Sequence, residues 1–320
     1  MVKRIAVLTS GGDAPGMNAV IRAVVRKGIH HGFEVFGVQR GYEGVIQGDF
    51  KLMTDHSVGG IIQHGGTVLK TARSEAFKTE EGFAAALQQL KEHYIDYLIV
   101  IGGDGSMAGA AKLAEAGIAT IVIPGTIDND MSGTEYTIGF DTALNTVLES
   151  VNKIRDTAAS HGRVAIVEVM GRSAGHIALM AGLACGAEAI LLPEEPLDID
   201  MVCDRLIKSH KRGKLYSIIL VAEGVAKSFD IASEIGAKTK FETHVTVLGY
   251  IQRGGNPTAT DNIMASRMGA AAVDHILQEN INQLIAWQKG QIVTLPYEEA
   301  AQNKHGIDLS LYELAGILSR

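Results

Sequence analysis

The chain has 320 residues and a mass of 34.0 kDa, more than one small core needs and enough for one large or two medium α/β domains. Hydrophobic residues make up 46% and charged residues 20%, a globular balance that excludes disordered and fibrous classes. A net charge of −7 argues against a general polyanion binder, which carries a basic excess, so no nucleic-acid partner is expected. Small anionic ligands remain open to locally clustered arginines.

Glycine is abundant at 37 residues against 6 prolines, which suggests tight turns where backbone approaches a ligand. Two cysteines, Cys185 and Cys203, cannot make a disulfide framework, and they fit a reducing compartment. The opening MVKRIAVLTSGGD has too short an apolar run for a secretory signal. The longest apolar stretch, 175–193, is broken by His176 and Glu188, so no membrane span is expected. These readings together predict a cytoplasmic protein.

In chain order the pattern predicts a strand at Arg4–Thr9, a helix at Met17–His31, a strand at Glu34–Val38 and a helix at Thr79–His93. A strand at Tyr97–Ile101, a helix at Met107–Ala116, a strand at Thr120–Ile123 and a helix at Thr142–Ala159 follow. Next come a strand at Val164–Met170, a helix at Ala174–Cys185, a strand at Ala189–Leu192 and a helix at Met201–Lys211. Strands at Ser217–Ala222 and Thr243–Leu248 and a helix at Asn262–Gln278 complete the series. Continuously apolar strands alternating with helices mean mainly parallel sheet covered on both faces. The fold class is doubly wound α/β. No linker or composition shift marks a domain boundary.

Three segments follow predicted strands, where open α/β sheets place ligands. Ser10-Gly-Gly-Asp-Ala-Pro-Gly16 can turn backbone N–H groups toward an anion at a helix start; a plain tight turn explains it equally well. Ile101-Gly-Gly-Asp-Gly-Ser106 flanks one carboxylate with glycines, so phosphate oxygens and Asp104 can share a magnesium ion, which keeps few protein ligands. Neither G-x-x-x-x-G-K-[ST] nor G-x-G-x-x-G occurs, which implies a nucleotide phosphate site of another design. In Pro124-Gly-Thr-Ile-Asp-Asn-Asp130, Thr126, Asp128 and Asp130 suit a base that deprotonates an attacking alcohol. Alone, that loop reads as an Asx turn; its place beside a phosphate loop favours the chemical reading.

Arg163, Arg172 and Arg253 lie beside glycines or strand ends, where a guanidinium fork can bind phosphate and stabilise a transferring phosphoryl group. Arg22, Arg26, Arg155, Arg212 and Lys214 read as solvated helix faces. The methionines and both cysteines read as core. The eleven histidines show no zinc-ligand spacing.

Taken together, TSGGDAPGMNA, VIGGDGS, PGTIDND, IGFDTALNT, KIRDTA, VMGRSAG, VAEGV and VLGYIQRGG resemble the bacterial ATP-dependent 6-phosphofructokinases, in that family's order and over essentially the whole chain. The resemblance implies transfer of the ATP γ-phosphoryl to the 1-hydroxyl of fructose 6-phosphate, in glycolysis, by a homotetramer. It implies domains of 1–139 with 252–303 (ATP) and 140–251 with 304–320 (sugar phosphate). It assigns Gly12, Tyr42, Arg73, Ser74, Gly103, Asp104, Gly105 and Ser106 to ATP, with Asp104 serving Mg²⁺. Asp128 becomes the base, held by Thr126 and Asp130, while Arg172 and Arg73 stabilise the transition state. Thr126, Met170, Gly171, Glu223 and Arg253 hold the sugar phosphate, with Arg163 reaching in from the next subunit. Arg22, Arg26, Arg155, Gly186, Glu188, Arg212 and Lys214 line an effector site for ADP or phosphoenolpyruvate. Gly105 and Gly125, where the pyrophosphate-using branch carries Asp and Lys, favour ATP as donor.

Four positions depart from the resemblance. His244 and Tyr250 stand where the family has Arg and His, which predicts weaker sugar-phosphate binding that falls as pH rises, since imidazole carries charge only near or below pH ~6.5. Asp55 stands in place of an Arg and Gly60 in place of an Asp, which predicts weak effector binding through repulsion of an anion. Competing readings are a non-catalytic nucleotide-binding regulatory subunit and a phosphotransferase of the NAD- or lipid-kinase type. The latter shares the GGDG turn but lacks the PGTIDND and MGR segments, and the former has no need of both Asp104 and Asp128.

Overall fold

The computed structural model describes residues 2–303 and 305–319; the expected domain limits at 304 and 320 lie outside them. In chain order the elements are β1 (Arg4–Thr9), α1 (Met17–His30), β2 (Glu34–Val38), α2 (Gly41–Gln47), β3 (Phe50–Met53), α3 (Glu80–Glu92), β4 (Tyr97–Gly102) and α4 (Asp104–Glu115). Then follow β5 (Ala119–Pro124), α5 (Phe140–His161), β6 (Val164–Val169), α6 (His176–Cys185), β7 (Ala189–Leu191), α7 (Ile199–Lys211) and β8 (Ser217–Ala222). The chain ends with α8 (Ser228–Thr239), β9 (Thr243–Val247), α9 (Ala259–Leu277), β10 (Gln283–Gln288), β11 (Gln291–Pro296), α10 (Tyr297–Gln302) and α11 (Leu309–Leu318).

These elements form two compact units. One comprises Met1–Ile127, Met131–Thr142 and Arg253–His305, and the other Asp128–Asp130, Ala143–Gln252 and Gly306–Arg320. The first holds a seven-stranded sheet in the order β11-β10-β5-β4-β1-β2-β3. Its central strands run parallel, and β3 and β11 pair antiparallel at the edges. Because β1 connects to β2 on one side while β4 connects to β5 on the other, the sheet reverses direction between β1 and β4, the place where such sheets open a crevice for ligands. The register pairs Thr9 with Ile101 and Gly102 with Pro124, so the loops after β1, β4 and β5 leave the sheet at one edge. Leu98, Val100, Leu113 and Leu284 anchor the core on one face, and α1 packs against α9.

The second unit holds a fully parallel sheet in the order β7-β8-β6-β9. Ile166, Ile219, Val221, Leu206 and Ile235 form its core with α7 and α8. Every residue of β8 is buried, as expected for a strand covered on both faces. The α/β class and mainly parallel sheets read from the sequence are the architecture found.

Several elements escaped the sequence reading. The β10–β11 hairpin turns on Lys289 (φ 49°) and Gly290 (φ 81°), a two-residue turn with both φ angles positive, built on Lys-Gly instead of the usual Asn-Gly. The short strand β3 and helix α2 also went unread, the latter because Gly41 and Gly44 dilute its pattern. So did α8, α10 and α11. Helix α4 starts at Asp104 rather than Met107, so the second glycine-rich motif forms the first turn of a helix instead of a loop before it.

Candidate active site

The turn from β4 to α4 is built for close approach. A Cβ on Gly102 would run into Ser106 and the Ser10 backbone, whereas one on Gly105 would meet nothing within 4 Å. Gly102 is therefore a packing requirement, and Gly105 borders open space at a helix N-terminus, where free N–H groups favour an anion. Asp104 is exposed there and Gly103 partly so. Tyr42 is only 5% exposed; its hydroxyl donates to the Ser106 carbonyl at 2.7 Å and its ring stacks on Phe77 at 4.1 Å. It supports the α4 turn from behind. Ser74 is likewise committed, donating to Glu43 at 2.7 Å and accepting from the Phe77 N–H, while Arg73 is exposed.

The loop after β1 needs Gly11 and Gly16 at φ 87° and 99°, angles that side chains resist. A Cβ on Gly12 would collide with the Arg253 guanidinium, so this glycine accommodates the arginine itself. Arg253 Nη1 also lies 3.9 Å from Asp13 Oδ1.

After β5, the Thr126 carbonyl accepts from Thr137 Oγ1 at 2.7 Å. The Cβ direction of Gly103 points within 3.9 Å of Thr126, and Asp104 Oδ1 accepts the Ser132 N–H at 3.2 Å. The glycine-aspartate turn and the chain flanking Asp128 are thus neighbours in one unit.

Within the other unit, Asp128 is 2% exposed and its Oδ2 lies 3.3 Å from Arg172 Nε. Asn129 and Arg172 both adopt φ 52°, left-handed backbone that non-glycine residues hold only when their surroundings fix it. Glu223 supplies part of that support, accepting the N–H groups of Gly171 at 3.2 Å and Arg172 at 2.8 Å. Gly224 leaves room for the Arg172 carbonyl, which a Cβ there would strike. The Met170 N–H donates to Gln252, a fully buried side chain. Asp130 is half-buried.

Arg163 and His244 share one carboxylate: Glu242 Oε1 lies 2.8 Å from Arg163 Nη2 and 3.0 Å from His244 Nε2. These two neighbours, Arg163 foremost, hold Glu242 below the usual carboxylate range. Tyr250 is 80% exposed. Of the expected effector residues, Arg155 donates to the Cys185 carbonyl beside Gly186, and Lys214 pairs with Glu188, which is 3% exposed. Arg212 and Glu188 line a cavity of about 370 Å³ with Arg205 and Lys208. In the other unit, Arg22 and Arg26 lie one turn apart on α1, and α1 packs against the turn His56–Val58 that follows the exposed Asp55.

Glu242, Gln252, Ser132 and the fully buried Asp261 were not singled out from the sequence. Only Asp261 had a signal there, the capping-pair spacing from Thr258, and the expected helix start at Asn262 passed over it. No described group of three or more His, Cys, Asp or Glu could hold a metal ion, and among the described residues no helix is long and apolar enough to cross a membrane.

Each unit carries parallel strands with glycine-rich turns or arginines at their ends, which places the chain in a class of α/β protein that handles phosphorylated ligands. Comparison with known proteins narrows this. The sequence matches the family described as phosphofructokinase over residues 4–276. It is 57% identical over 318 residues to the ATP-dependent 6-phosphofructokinase of Brevibacillus brevis, covering 99% of this chain and 100% of that one. It is 55% identical, with the same coverage, to that of Halalkalibacterium halodurans. The fold is similar to a phosphofructokinase structure from Saccharomyces cerevisiae, with TM-score 0.90 and 36% identity over 98% of this chain but only 50% of the yeast chain. The present chain therefore spans about half the length of that solved relative. The chain belongs to the phosphofructokinase family.

Proposed function

We propose that this chain transfers the γ-phosphoryl group of ATP to the 1-hydroxyl of fructose 6-phosphate, giving ADP and fructose 1,6-bisphosphate in glycolysis. The observation that carries the reading is the hydrogen bond from the Ser132 N–H to Asp104, which ties the phosphate turn to the loop bearing the base. Full-length relatives above 50% identity that carry this activity support it.

In this reading Asp128 accepts the sugar hydroxyl proton, oriented by Arg172, with Thr126 and Asp130 holding the loop. Arg172 and Arg73 stabilise charge on the transferring group. Gly12, Gly103, Gly105 and Ser106 border the nucleotide, supported from behind by Tyr42 and Ser74. Met170, Gly171, Glu223 and Arg253 hold the sugar phosphate, with Arg163, His244 and Tyr250 acting at a neighbouring subunit's site in a homotetramer. Asp104, exposed beside the open space at Gly105, fits a Mg²⁺ held mainly by phosphate and water; bound there, the ion neutralises phosphate charge. Phosphoryl transfer needs little more from a protein than such positioning and electrostatics. ATP is the donor because the space at Gly105 is free of side chain. The effector residues form a weak site for ADP or phosphoenolpyruvate, and the protein works in the cytoplasm.

A coupled assay for ADP and fructose 1,6-bisphosphate tests the reading, with Asp128→Ser as control. Product from the wild type and its near-complete loss in the variant are expected. Nucleotide binding without product would instead mark a regulatory subunit.

A further inference from the structure

Asp261 is fully buried, and its two oxygens take four hydrogen bonds. Oδ1 accepts from the Tyr136 hydroxyl at 2.5 Å and the Gly139 N–H at 2.7 Å. Oδ2 accepts from the Thr142 N–H at 2.8 Å and its hydroxyl at 2.5 Å. An isolated buried carboxylate is expensive. This one is satisfied, and it lies in the first turn of α9 while capping the first turn of α5, so the N-terminal ends of two helix dipoles face it.

Helix α5 has only Gly139 ahead of it and thus no capping side chain of its own. Asp261 supplies the cap from another element. The exchange is reciprocal, since the Thr258 N–H donates to Thr142 Oγ1 and the Thr258 hydroxyl donates to Asp141.

The link to chemistry is the pair of residues between the two groups on Oδ1. Thr137 donates to the Thr126 carbonyl, the Ile138 N–H donates to the Pro124 carbonyl at 3.0 Å, and Ile138 bridges Gly125. Tyr136 and Gly139 bracket these contacts, so one oxygen fixes the strip of chain that sets the height of Gly125 and Thr126. Gly16, at the end of the first phosphate loop, has no room for a Cβ against Ile138. The same strip therefore also backs that loop.

We infer that Asp261 is a positioning residue for the loop carrying Thr126 and Asp128, acting through Tyr136, Gly139 and Thr142. The inference rests on the proposed phosphoryl transfer, and it assigns to a residue remote from substrate a share of kcat. A misplaced reacting group loses rate while ground-state binding elsewhere survives.

The test measures kcat, both KM values and the melting temperature for the wild type, Asp261→Asn, Tyr136→Phe, Thr142→Val and Thr142→Ser. For Asp261→Asn, kcat is expected to fall by about 100-fold and for Tyr136→Phe by about tenfold, with KM for ATP within about twofold. Thr142→Ser, which keeps the hydroxyl, should retain activity that Thr142→Val loses. Should Asp261→Asn fail to fold, Tyr136→Phe, which removes one hydroxyl, decides alone. Wild-type kcat in Tyr136→Phe and Thr142→Val, with only a lower melting temperature, overturns the inference. A wild type that makes no fructose 1,6-bisphosphate overturns it together with the functional reading, which separates the two failures.

Discussion

The Nε of Arg172 lies 3.3 Å from Oδ2 of Asp128, and the arginine reaches it from left-handed backbone at φ 52°. The guanidinium thus orients a carboxylate that is 2% exposed while keeping half its own surface open. Removing the carboxylate should abolish general base catalysis without emptying the nucleotide site. Asp128→Ser is expected to lower kcat by about 10²- to 10⁴-fold, with ATP binding by fluorescence or calorimetry within about twofold of wild type. Activity close to wild type would deny Asp128 its role.

The conformation of Arg172 is held from Glu223 and Gly224. One accepts its N–H at 2.8 Å and the other leaves space for its carbonyl. Adding a single methyl group at Gly224 must push the 170–174 turn away. Gly224→Ala should lower kcat by about tenfold or more, although residue 224 is given no contact with substrate. Kinetics at saturating substrates, with circular dichroism to confirm folding, would show it; an unchanged kcat refutes the arrangement.

Gly105 and Gly125 are glycines for different reasons. A Cβ at Gly125 would approach Ile101 at 2.9 Å and Met17 at 3.2 Å, while at Gly105 it would meet nothing. Only Gly105 is thus free of a packing explanation and speaks for the phosphoryl donor. Gly105→Asp should fold with a near-wild-type melting temperature and lose ATP-dependent activity by about 100-fold or more, since a like charge beside the phosphates costs several kcal/mol. Gly125→Ala should chiefly lower the melting temperature. Equal thermal losses in both variants would contradict the distinction.

Much of this was legible in the sequence because the parallel strands are continuous apolar runs and the phosphate turns fall at their ends. Strands β1, β2 and β8 have the limits their residues suggested. What stayed hidden depends on partners distant in sequence. β10 pairs with β11 on one side and with the distant β5 on the other. Asp261 looks like any acid in a helix's first turn until Tyr136 and Thr142, more than a hundred residues earlier, are folded against it. Tyr42 showed its type but not its depth, because nothing local says which face of α2 meets Phe77.

Asp55 is exposed, and the turn that follows it packs against α1, which carries Arg22 and Arg26. A carboxylate there weakens the positive field that an anionic effector requires. Millimolar phosphoenolpyruvate should barely shift the fructose 6-phosphate saturation curve of the wild type, and Asp55→Arg should restore inhibition. A large sigmoidal shift in the wild type would refute this.

Glu242 joins Arg163 to His244 with contacts of 2.8 and 3.0 Å, and under the proposed function this bears on sugar-phosphate affinity. A phosphate approaching Arg163 competes with a carboxylate already there, one that its cationic neighbours keep ionised to lower pH than usual. KM for fructose 6-phosphate should therefore reflect that competition. Glu242→Gln removes the competitor and should lower KM at pH 8 by about two- to fivefold, the range set by an exposed ion pair. His244→Arg supplies a permanent charge and a bidentate donor and should also lower KM. If neither variant lowers KM, Glu242 does not compete with substrate and position 244 is no part of the site.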